Sequence, residues 1–591
     1  MTTASETMGP DLEPTASWVP QRFRAFVRSD ELWLVGLAAL VGVFAGVGVA
    51  AIVSGLHGVQ FLLFGTTTHD VSGAVYVAAS RAAFVPIIGG MLLGVTILLA
   101  TRLTKSIATI DPIEANALFG GRIPMAGSAV LVLQTIISSG FGASIGMEAG
   151  YTQLGSAAAS KLGQIFHVRR NDMRVLVGCG AAGAIAAAFD APLTGAFYAF
   201  ELVIASYAIA SLAPVVVASI AAVASMRLLI EPSSFQVGFA GTLSISDYAL
   251  VLTMGVACSV LGISLMRLVA MVEAAFVRLK VPAWLRPSIG GAAVGLMALI
   301  TPAILSSGHA ALHVGFGADY SMATLLLLIG LKTAASAVSL GSGFRGGLFF
   351  ASLFLGAMLG KLVAIWWMMA FGLTTPVLVF GIVGMCAMAT AVLGAPLTMA
   401  FLALETTGSL PLTTAVLGAA VVSSITVRRT FGYSFATWRF HLRGESIRSA
   451  ADIGWIRELT VGRMMRKDVR TVRADITRDQ LKRDFPLGSA QRVIAVDEAE
   501  QYLGIVLVSD LHRSPDDDAL DLTGLLKFRT TALEPRMNVR EAMKTFSAAE
   551  SDGLAVISDV DRRTVVGFLS EQHALRRYSE EMDRRASEIA T

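Results

Sequence analysis

Charged residues are scarce in this chain of 591 residues. Acids and bases together make up 15% of the sequence, whereas 54% is hydrophobic and the mean hydropathy is +0.67. So little charge over this length excludes an ordinary soluble protein. The net charge is only +3, and the basic residues form no stripe with aromatics between them, which excludes nucleic acid as a partner.

The sequence also lacks the patterns of disulfide, metal and hydrolase sites. Its three cysteines, Cys179, Cys258 and Cys386, stand singly in apolar runs without CxxC spacing, so we interpret them as core residues. His309 and His313 have the spacing of a metal-binding pair, but no further ligand type lies close by in the sequence, which favours a loop or helix-end role. No HExxH motif marks the apolar interior. We therefore expect no enzyme, no catalytic residue, no required cofactor and no metal site.

Long uncharged stretches dominate the first two thirds of the chain. Windows of about 18 residues or more with little or no charge predict helices that cross a lipid bilayer, and alternating strand patterns are absent. These windows run over 33–55, 83–100, 248–265 and 374–403. Other apolar segments are short and interrupted by Gly or Pro, namely 129–146, 148–160, 175–189, 191–206 and 346–362. The predicted fold class is an all-α polytopic membrane protein with broken helices.

The hydropathy changes sharply near residue 430, and we predict four segments. Residues 1–30 are expected to be a cytoplasmic tail, 31–430 the membrane domain, 431–455 a linker, and 456–591 a cytoplasmic α+β domain. Arginines precede the first span and follow the last. Both termini are therefore expected in the cytoplasm, with an even number of crossings.

An internal repeat marks the soluble domain. The stretches VIAVDEAEQYLGIVLVSDL at 493–511 and LAVISDVDRRTVVGFLSEQHAL at 554–575 each predict a strand, a polar turn, a second strand and a helix. Ser509-Asp510 in the first copy matches Ser570-Glu571 in the second. This pattern predicts a pair of α+β modules of about 60 residues each.

Glu148 is a single acid in the apolar stretch GFGASIGMEAGYTQLG. A charged side chain at mid-membrane costs about 2.5–3.5 kcal/mol on insertion scales, so its presence predicts a functional site. We expect two broken helices to begin at the junctions SIGMEAG and GSGFRGGLFF. Helix N-termini carry unpaired N–H groups and partial positive charge, which suits an anion. Close helix packing through small residues is the alternative explanation of these glycines.

Several stretches match motifs of one membrane family. GMEAGYTQLG is similar to Gly-Arg-Glu-Gly-Pro followed by Gln-x-Gly, CGAAGAIAAAFDAPLTG to Gly-Ala-Ala-Ala-Gly-x-Ala-Ala-Ala-Phe-Asn-Ala-Pro-Leu-Ala-Gly, and GSGFRGGLFF to Gly-x-Phe-x-Pro. FGYSF and IATIDPIEANAL match two further motifs. By these motifs the chain resembles the CLC chloride channels and proton/chloride antiporters. It departs from them at Met147, Ala149, Gly150 and Ala351, and has Asp190 for the motif's Asn.

The resemblance implies a homodimer with an inverted repeat and a pore in each subunit. It implies that Glu148 is the gate and that Gly146 and Gly347 belong to the pore motifs. The residues implied to hold chloride are Thr109 and Tyr433 through hydroxyls, and Leu348 and Phe349 through backbone N–H groups. Each hydrogen bond to an ion is worth about 1.5–3 kcal/mol, so such donors can hold a halide without the strong binding of a lysine.

Coupling to protons distinguishes two kinds of CLC protein. The antiporters resembled here use a second, inward-facing glutamate, and Leu202 occupies that position with Glu201 as its neighbour. Adjacent helical residues point about 100° apart, so Glu201 either is structural, with a helical partner, or serves a different proton route. Leu202 favours a passive channel, with a proton-coupled chloride antiporter as the alternative. A membrane receptor that signals through the tail is the remaining reading.

The soluble domain resembles a pair of CBS modules, a regulatory unit. CBS pairs often bind adenine nucleotides through a hydroxyl and an acid at the junction of strand and helix. The resemblance therefore implies Ser509, Asp510, Ser570 and Glu571 as nucleotide-binding residues. The alternative is helix capping, because a serine followed by an acid is common wherever a helix begins.

Overall fold

The protein divides into two compact units, Met1–Asp452 and Ile453–Thr591. The computed structural model describes residues 31–66, 70–103, 109–230, 243–372, 375–432, 434–435, 437–438, 459–513, 522–559, 562–578 and 580. The described part of the first unit is helical and that of the second is α+β, which confirms the predicted fold class. The tail 1–30 and Tyr433 lie outside the described residues.

The first unit is built from helices of very unequal length. In chain order they are α1 Glu31–Phe64, α2 Ala79–Leu103, α3 Pro112–Leu118, α4 Met125–Gly140, α5 Glu148–Phe166, α6 Arg170–Phe189, α7 Pro192–Tyr198, α8 Ile209–Leu229, α9 Ile245–Arg278, α10 Arg286–Ala298, α11 His309–Gly317, α12 Met322–Gly341, α13 Phe349–Phe371, α14 Val377–Leu393, α15 Pro396–Thr407 and α16 Leu410–Thr430. A π-helical stretch, Ala199–Ile204, continues α7. Eight helices of the described part are long and apolar enough to cross a membrane.

The prediction of one span over 374–403 is wrong, because the chain breaks there. Helix α14 ends at Leu393, and Gly394 follows in the left-handed region with φ +81°. Pro396 then begins α15. The first position of a helix suits proline, because an N–H group there would have no partner within the helix. The segment expected at 346–362 is also longer than predicted, since α13 runs to Phe371.

The two halves of the membrane unit, α1–α8 and α9–α16, repeat the same close helix contact. In the first half, a Cβ atom added to Gly155 on α5 or to Gly180 on α6 would overlap the backbone of the other helix. In the second half, Gly356 on α13 and Gly384 on α14 stand in the same relation. Only glycine lets these backbones approach so closely. Close helix packing therefore explains these four glycines.

The second unit contains the repeated strand pairs that the sequence predicts. Its strands are β1 Thr471–Arg473, β2 Arg492–Val496, β3 Tyr502–Leu507, β4 Leu526–Lys527, β5 Gly553–Ile557 and β6 Val565–Ser570. Strand β2 lies parallel to β1 and antiparallel to β3, and β5 lies antiparallel to β6. Helix α17, Val508–Arg513, follows β3, and helical residues 571–578 follow β6. The strand–turn–strand–helix prediction is therefore confirmed in both copies.

Candidate functional site

Two loops from opposite halves of the membrane unit meet where α5 and α13 begin. The amide of Gly146 donates to the carbonyl of Gly347 at 2.9 Å, and the amide of Gly347 donates back to Gly146 at 3.0 Å. Helix α5 then begins at Glu148 and α13 at Phe349. This confirms that the two Gly-rich junctions precede helix N-termini, and it brings those N-termini to one place.

Serine side chains hold the same two loops by a reciprocal exchange. Ser138 at the end of α4 accepts a hydrogen bond from the amide of Arg345 at 3.0 Å. Ser339 at the end of α12 accepts one from the amide of Ser144, also at 3.0 Å. Each half thus supplies a hydroxyl to the other half's loop, which fixes both loops although neither has regular structure.

The Glu148 carboxylate lies between the two helix N-termini. Its side chain is 4% exposed, and Oε1 accepts a hydrogen bond of 2.6 Å from the amide of Phe350, the second residue of α13. Oε2 accepts no hydrogen bond from any residue that the structure describes. A Cβ atom on Gly347 would lie 2.5 Å from Oε2. The carboxylate therefore occupies a tight, glycine-lined space with an anion's preferred donors around it.

Leu348 and Phe349 place two further N–H groups beside this carboxylate. Leu348 caps α13 and Phe349 is its first residue, and both are buried. The first N–H groups of a helix have no partner within it. No hydrogen bond joins either amide to a described residue. These two amides thus have no acceptor while the Glu148 carboxylate accepts from the Phe350 amide.

A buried lysine, Lys332 of α12, supplies positive charge near the site and was missed in the sequence. Its side chain is fully buried, and Nζ donates to the carbonyl oxygens of Ile304 at 3.1 Å and Ser306 at 3.0 Å. The ammonium group also interacts electrostatically with the carboxylates of Asp70 and Glu148. A lone lysine in an apolar run is as costly in a membrane as a lone acid, so the argument applied to Glu148 would have found it.

Of the two predicted hydroxyl donors, the structure describes Thr109 alone. Thr109 precedes Ile110, whose carbonyl accepts a hydrogen bond of 3.0 Å from the Gln153 side chain on α5. The segment carrying Thr109 is thereby attached to the helix that begins with Glu148. Tyr433, the other predicted hydroxyl donor, lies outside the described residues.

An aromatic wall adjoins the beginning of α13. The ring of Phe189 stacks on that of Phe350 at a centroid distance of 4.5 Å and also contacts Phe349 at 4.7 Å. Tyr198 of α7 lies parallel to Phe349, with centroids 6.4 Å apart. Tyr198 is 9% exposed. Sequence reasoning missed Tyr198, because its position in an apolar helix gives no local signal.

Leu202 and Glu201 lie on the π-helical stretch that continues α7. Leu202 is buried and apolar, so its side chain carries no proton-binding group. The Glu201 carboxylate accepts hydrogen bonds from the amides of Leu397 at 3.0 Å and Thr398 at 2.8 Å. The structure thus gives Glu201 a helical partner, the beginning of α15.

The four residues predicted to bind a nucleotide lie in two different surroundings. Asp510 pairs with Lys527 at 2.6 Å, and the hydrogen bond from this ammonium lowers the pKa of the Asp510 carboxyl. Ser570 and Glu571 border a cavity of about 410 Å³. Its other lining includes Arg466, His573 and the ion pair of Arg492 with Asp552. Ser509 and Asp510 are not among the described residues that line this cavity.

The two histidines with metal-binding spacing stand in the first turns of α11. Their rings lie 4.8 Å apart, and the ring of His309 contacts Phe350 at 5.0 Å. Within the described ranges, no group of three or more His, Cys, Asp or Glu side chains could hold a metal ion.

Comparison with known proteins gives consistent matches over the membrane unit. A family model described as "Voltage gated chloride channel" matches residues 89–428. The "Voltage-gated ClC-type chloride channel ClcB" of Escherichia coli O81 is 28% identical over 407 residues, which are 66% of this chain and 95% of that protein.

Solved structures of low sequence identity share the fold. The structure titled "X-ray crystal structure of a slow cyanobacterial Cl-/H+ antiporter" has a TM-score of 0.62 at 19% identity and covers 69% of this chain and 97% of its own. The "Crystal Structure of a eukaryotic CLC transporter" has a TM-score of 0.59 at 17% identity and covers 93% of this chain and 98% of its own. The second likeness extends well beyond the membrane unit.

Proposed function

The chain belongs to the voltage gated chloride channel family, and on that premise we propose that it is a multi-pass membrane protein that conducts chloride passively through a pore gated by Glu148. The observation that carries the proposal is the hydrogen bond from the Phe350 amide to the Glu148 carboxylate, at 2.6 Å. A halide seeks the same kind of donor. The carboxylate is then a tethered anion that competes with chloride for one place.

Opening follows when the carboxylate leaves the amide. Chloride then takes the place at Phe350, with the free N–H groups of Leu348 and Phe349 and the hydroxyls of Thr109 and Tyr433 as further donors. The Lys332 ammonium group donates its hydrogen bonds to the Ile304 and Ser306 carbonyls. It favours an anion without ligating it, so binding stays weak enough for release.

Passive conduction is supported by the interior side of α7. Leu202 cannot carry a proton, and the neighbouring carboxylate of Glu201 is engaged at the beginning of α15. The proton-coupled antiporter is the second candidate, since two structural neighbours are titled antiporters, one of chloride and protons and one of fluoride and protons. In this chain such coupling requires a proton route that avoids Leu202.

The test is chloride efflux from proteoliposomes containing the purified full chain, recorded together with external pH. We expect chloride to leave without proton movement, and fluoride and nitrate serve as comparison anions. Empty liposomes control for leak. Protons driven against their gradient by chloride would overturn the passive channel in favour of the antiporter. Ligand binding without any anion flux would favour a receptor.

We further propose that 456–591 is a cytoplasmic CBS pair that regulates the pore of a homodimer, with 431–455 as linker and both termini in the cytoplasm. The repeated strand pairs support this, as does the cavity beside Ser570 and Glu571, which Arg466 and Arg492 help to line. An adenine nucleotide is expected to bind there, with its phosphates near Arg466 and Arg492. Equilibrium binding of ATP to the full chain tests it, and unchanged binding in Glu571→Ala would contradict the assigned site.

A further inference from the structure

Two glutamates occupy matching positions in the two halves of the membrane unit. The stretch APLTGAFYAFEL at 191–202 and the stretch APLTMAFLALET at 395–406 share their first four residues, and Glu201 and Glu405 stand at the same place in each. Each stretch begins a helix with proline at its first position. An acid repeated in both halves of an apolar domain calls for a shared explanation.

Glu405 caps the helix of the other half. Its Oε1 accepts a hydrogen bond from the amide of Leu193 at 2.8 Å. Its Oε2 accepts one from the amide of Thr194 at 2.8 Å and one from the Thr194 hydroxyl at 2.6 Å. Leu193 and Thr194 are the second and third residues of α7, so the carboxylate fills donors that the helix itself leaves unpaired.

Glu201 caps α15 in the same way. Its Oε1 accepts from the Leu397 amide at 3.0 Å, and its Oε2 accepts from the Thr398 amide at 2.8 Å and the Thr398 hydroxyl at 2.6 Å. The rings of Phe197 and Phe401, also at matching positions, stack between the two helices at 4.0 Å. The exchange is therefore reciprocal, and six hydrogen bonds join the two halves through side chains of only four residues.

We propose that Glu201 and Glu405 are a pair of positioning residues, a clasp that holds α7 and α15 together and thereby sets the geometry of the chloride site. Glu201 then has the same task as Glu405 and is no proton acceptor. The part of this inference that concerns chloride rests on the proposed function. The part that concerns the clasp does not.

The clasp reaches the site through α7. Thr194, which Glu405 holds, lies one helical turn before Tyr198. Tyr198 lies parallel to the ring of Phe349 at 6.4 Å, and Phe349 begins the helix whose next amide binds Glu148. A packed core transmits small shifts, so displacement of α7 changes where the α13 amides stand. Loss of the clasp should therefore weaken chloride binding rather than block the pore.

Double-mutant cycles on the full-length purified protein test the clasp directly. The contacting pairs are Glu201 with Thr398 and Glu405 with Thr194; the matched control pairs, Glu201 with Thr194 and Glu405 with Thr398, lie within one half. We expect Glu201→Gln and Thr398→Val to lower the melting temperature, with the double variant little worse than the worse single variant. The control pairs should be additive. Coupling within the control pairs, or additivity within the contacting pairs, would overturn the clasp.

Conservative variants keep the test informative if a glutamine variant does not fold. Thr194→Ser and Thr398→Ser retain the hydroxyl and are expected to restore the melting temperature lost in the valine variants. Equal loss in the serine and valine variants would show that shape, and not the hydrogen bond, matters at these positions.

Flux measurements on the same variants separate positioning from proton transfer. Glu201→Gln and Glu405→Gln should each raise the chloride concentration for half-maximal flux by about tenfold, which corresponds to about 1.4 kcal/mol. Maximal flux should change less than the half-maximal concentration. Altered proton movement in Glu201→Gln with a silent Glu405→Gln would assign Glu201 to proton transfer and refute the proposal. If the wild-type protein moves no chloride, the proposed function fails while the thermal cycles still decide on the clasp.

Discussion

Replacing Glu148 by glutamine removes the charge of the proposed gate and keeps the size of its side chain. In the native protein the carboxylate accepts a hydrogen bond of 2.6 Å from the Phe350 amide and interacts with the buried ammonium of Lys332. Glutamine keeps one carbonyl oxygen as acceptor and gains an NH₂ group that faces donors. The side chain should therefore leave the amide far more often than the carboxylate does.

The size of the effect follows from the bond that is weakened. A hydrogen bond to a charged group is worth about 1.5–3 kcal/mol and one between neutral groups about 0.5–1.5 kcal/mol. The difference of about 1–1.5 kcal/mol corresponds to about tenfold in the population of the open gate. The lost attraction to Lys332 adds to this, so chloride flux at neutral pH should rise by about tenfold or more.

Chloride efflux from proteoliposomes at neutral and acidic external pH measures the change. Acid should activate the wild type, since protonation also removes the charge, and should leave Glu148→Gln unaffected. Glu273→Gln is the matched control, because Glu273 is an exposed acid on α9 and its variant should behave as the wild type. A Glu148→Gln variant that keeps its acid activation would remove Glu148 as the gate.

Three further predictions test other parts of the structure. Gly347→Ala places a Cβ atom 2.5 Å from Glu148 Oε2, so it should reduce chloride flux even with Glu148→Gln; flux that rises instead would show that carboxylate and anion occupy different places. Thr109→Val deletes a hydroxyl donor and should shift the chloride-to-nitrate flux ratio toward nitrate, whereas an unchanged ratio would exclude Thr109 from the path. The lowered pKa of Asp510 contributes stability that is present above the ordinary value of 3.8 and lost as pH falls through the lowered value. Lys527→Gln should therefore make the tail susceptible to proteolysis at a higher pH than in the wild-type full chain, and an unshifted onset would contradict the pairing.

The sequence predicted helix starts best where local chemistry decides them. Glycine-rich junctions before Glu148 and Phe349 leave few conformations other than a loop that ends in a helix, and both helices begin there. The span expected over 374–403 failed because hydropathy averages over Gly394 and Pro396, although these residues themselves signal a helix end and a new helix start. Composition identifies membrane segments, and glycine and proline at helix ends decide whether a segment is one helix or two.

Tertiary partners could not be predicted from the chain. Glu201 reads as a buried acid that needs a helical partner, but only the fold shows that its partner is a turn of α15 nearly two hundred residues away. The same holds for the amide of Phe350, which carries no side-chain signal at all. Lys332 is different, since a lone lysine in an apolar run was visible in the sequence and the reasoning applied to Glu148 extends to it.

The proposed gate, Glu148, lies where the two halves cease to match. The halves exchange equivalent contacts between the Gly146 and Gly347 backbones, between the serines and the opposite loops, and between Glu201 and Glu405 and the opposite helices. Glu148 breaks this correspondence, because its counterpart at the beginning of α13 is Phe349. A symmetric scaffold fixes the positions of four helix N-termini, and it satisfies two of them permanently with Glu201 and Glu405. The remaining two lie on either side of a single carboxylate. In the proposed function it is therefore this carboxylate alone that leaves and makes room for an anion.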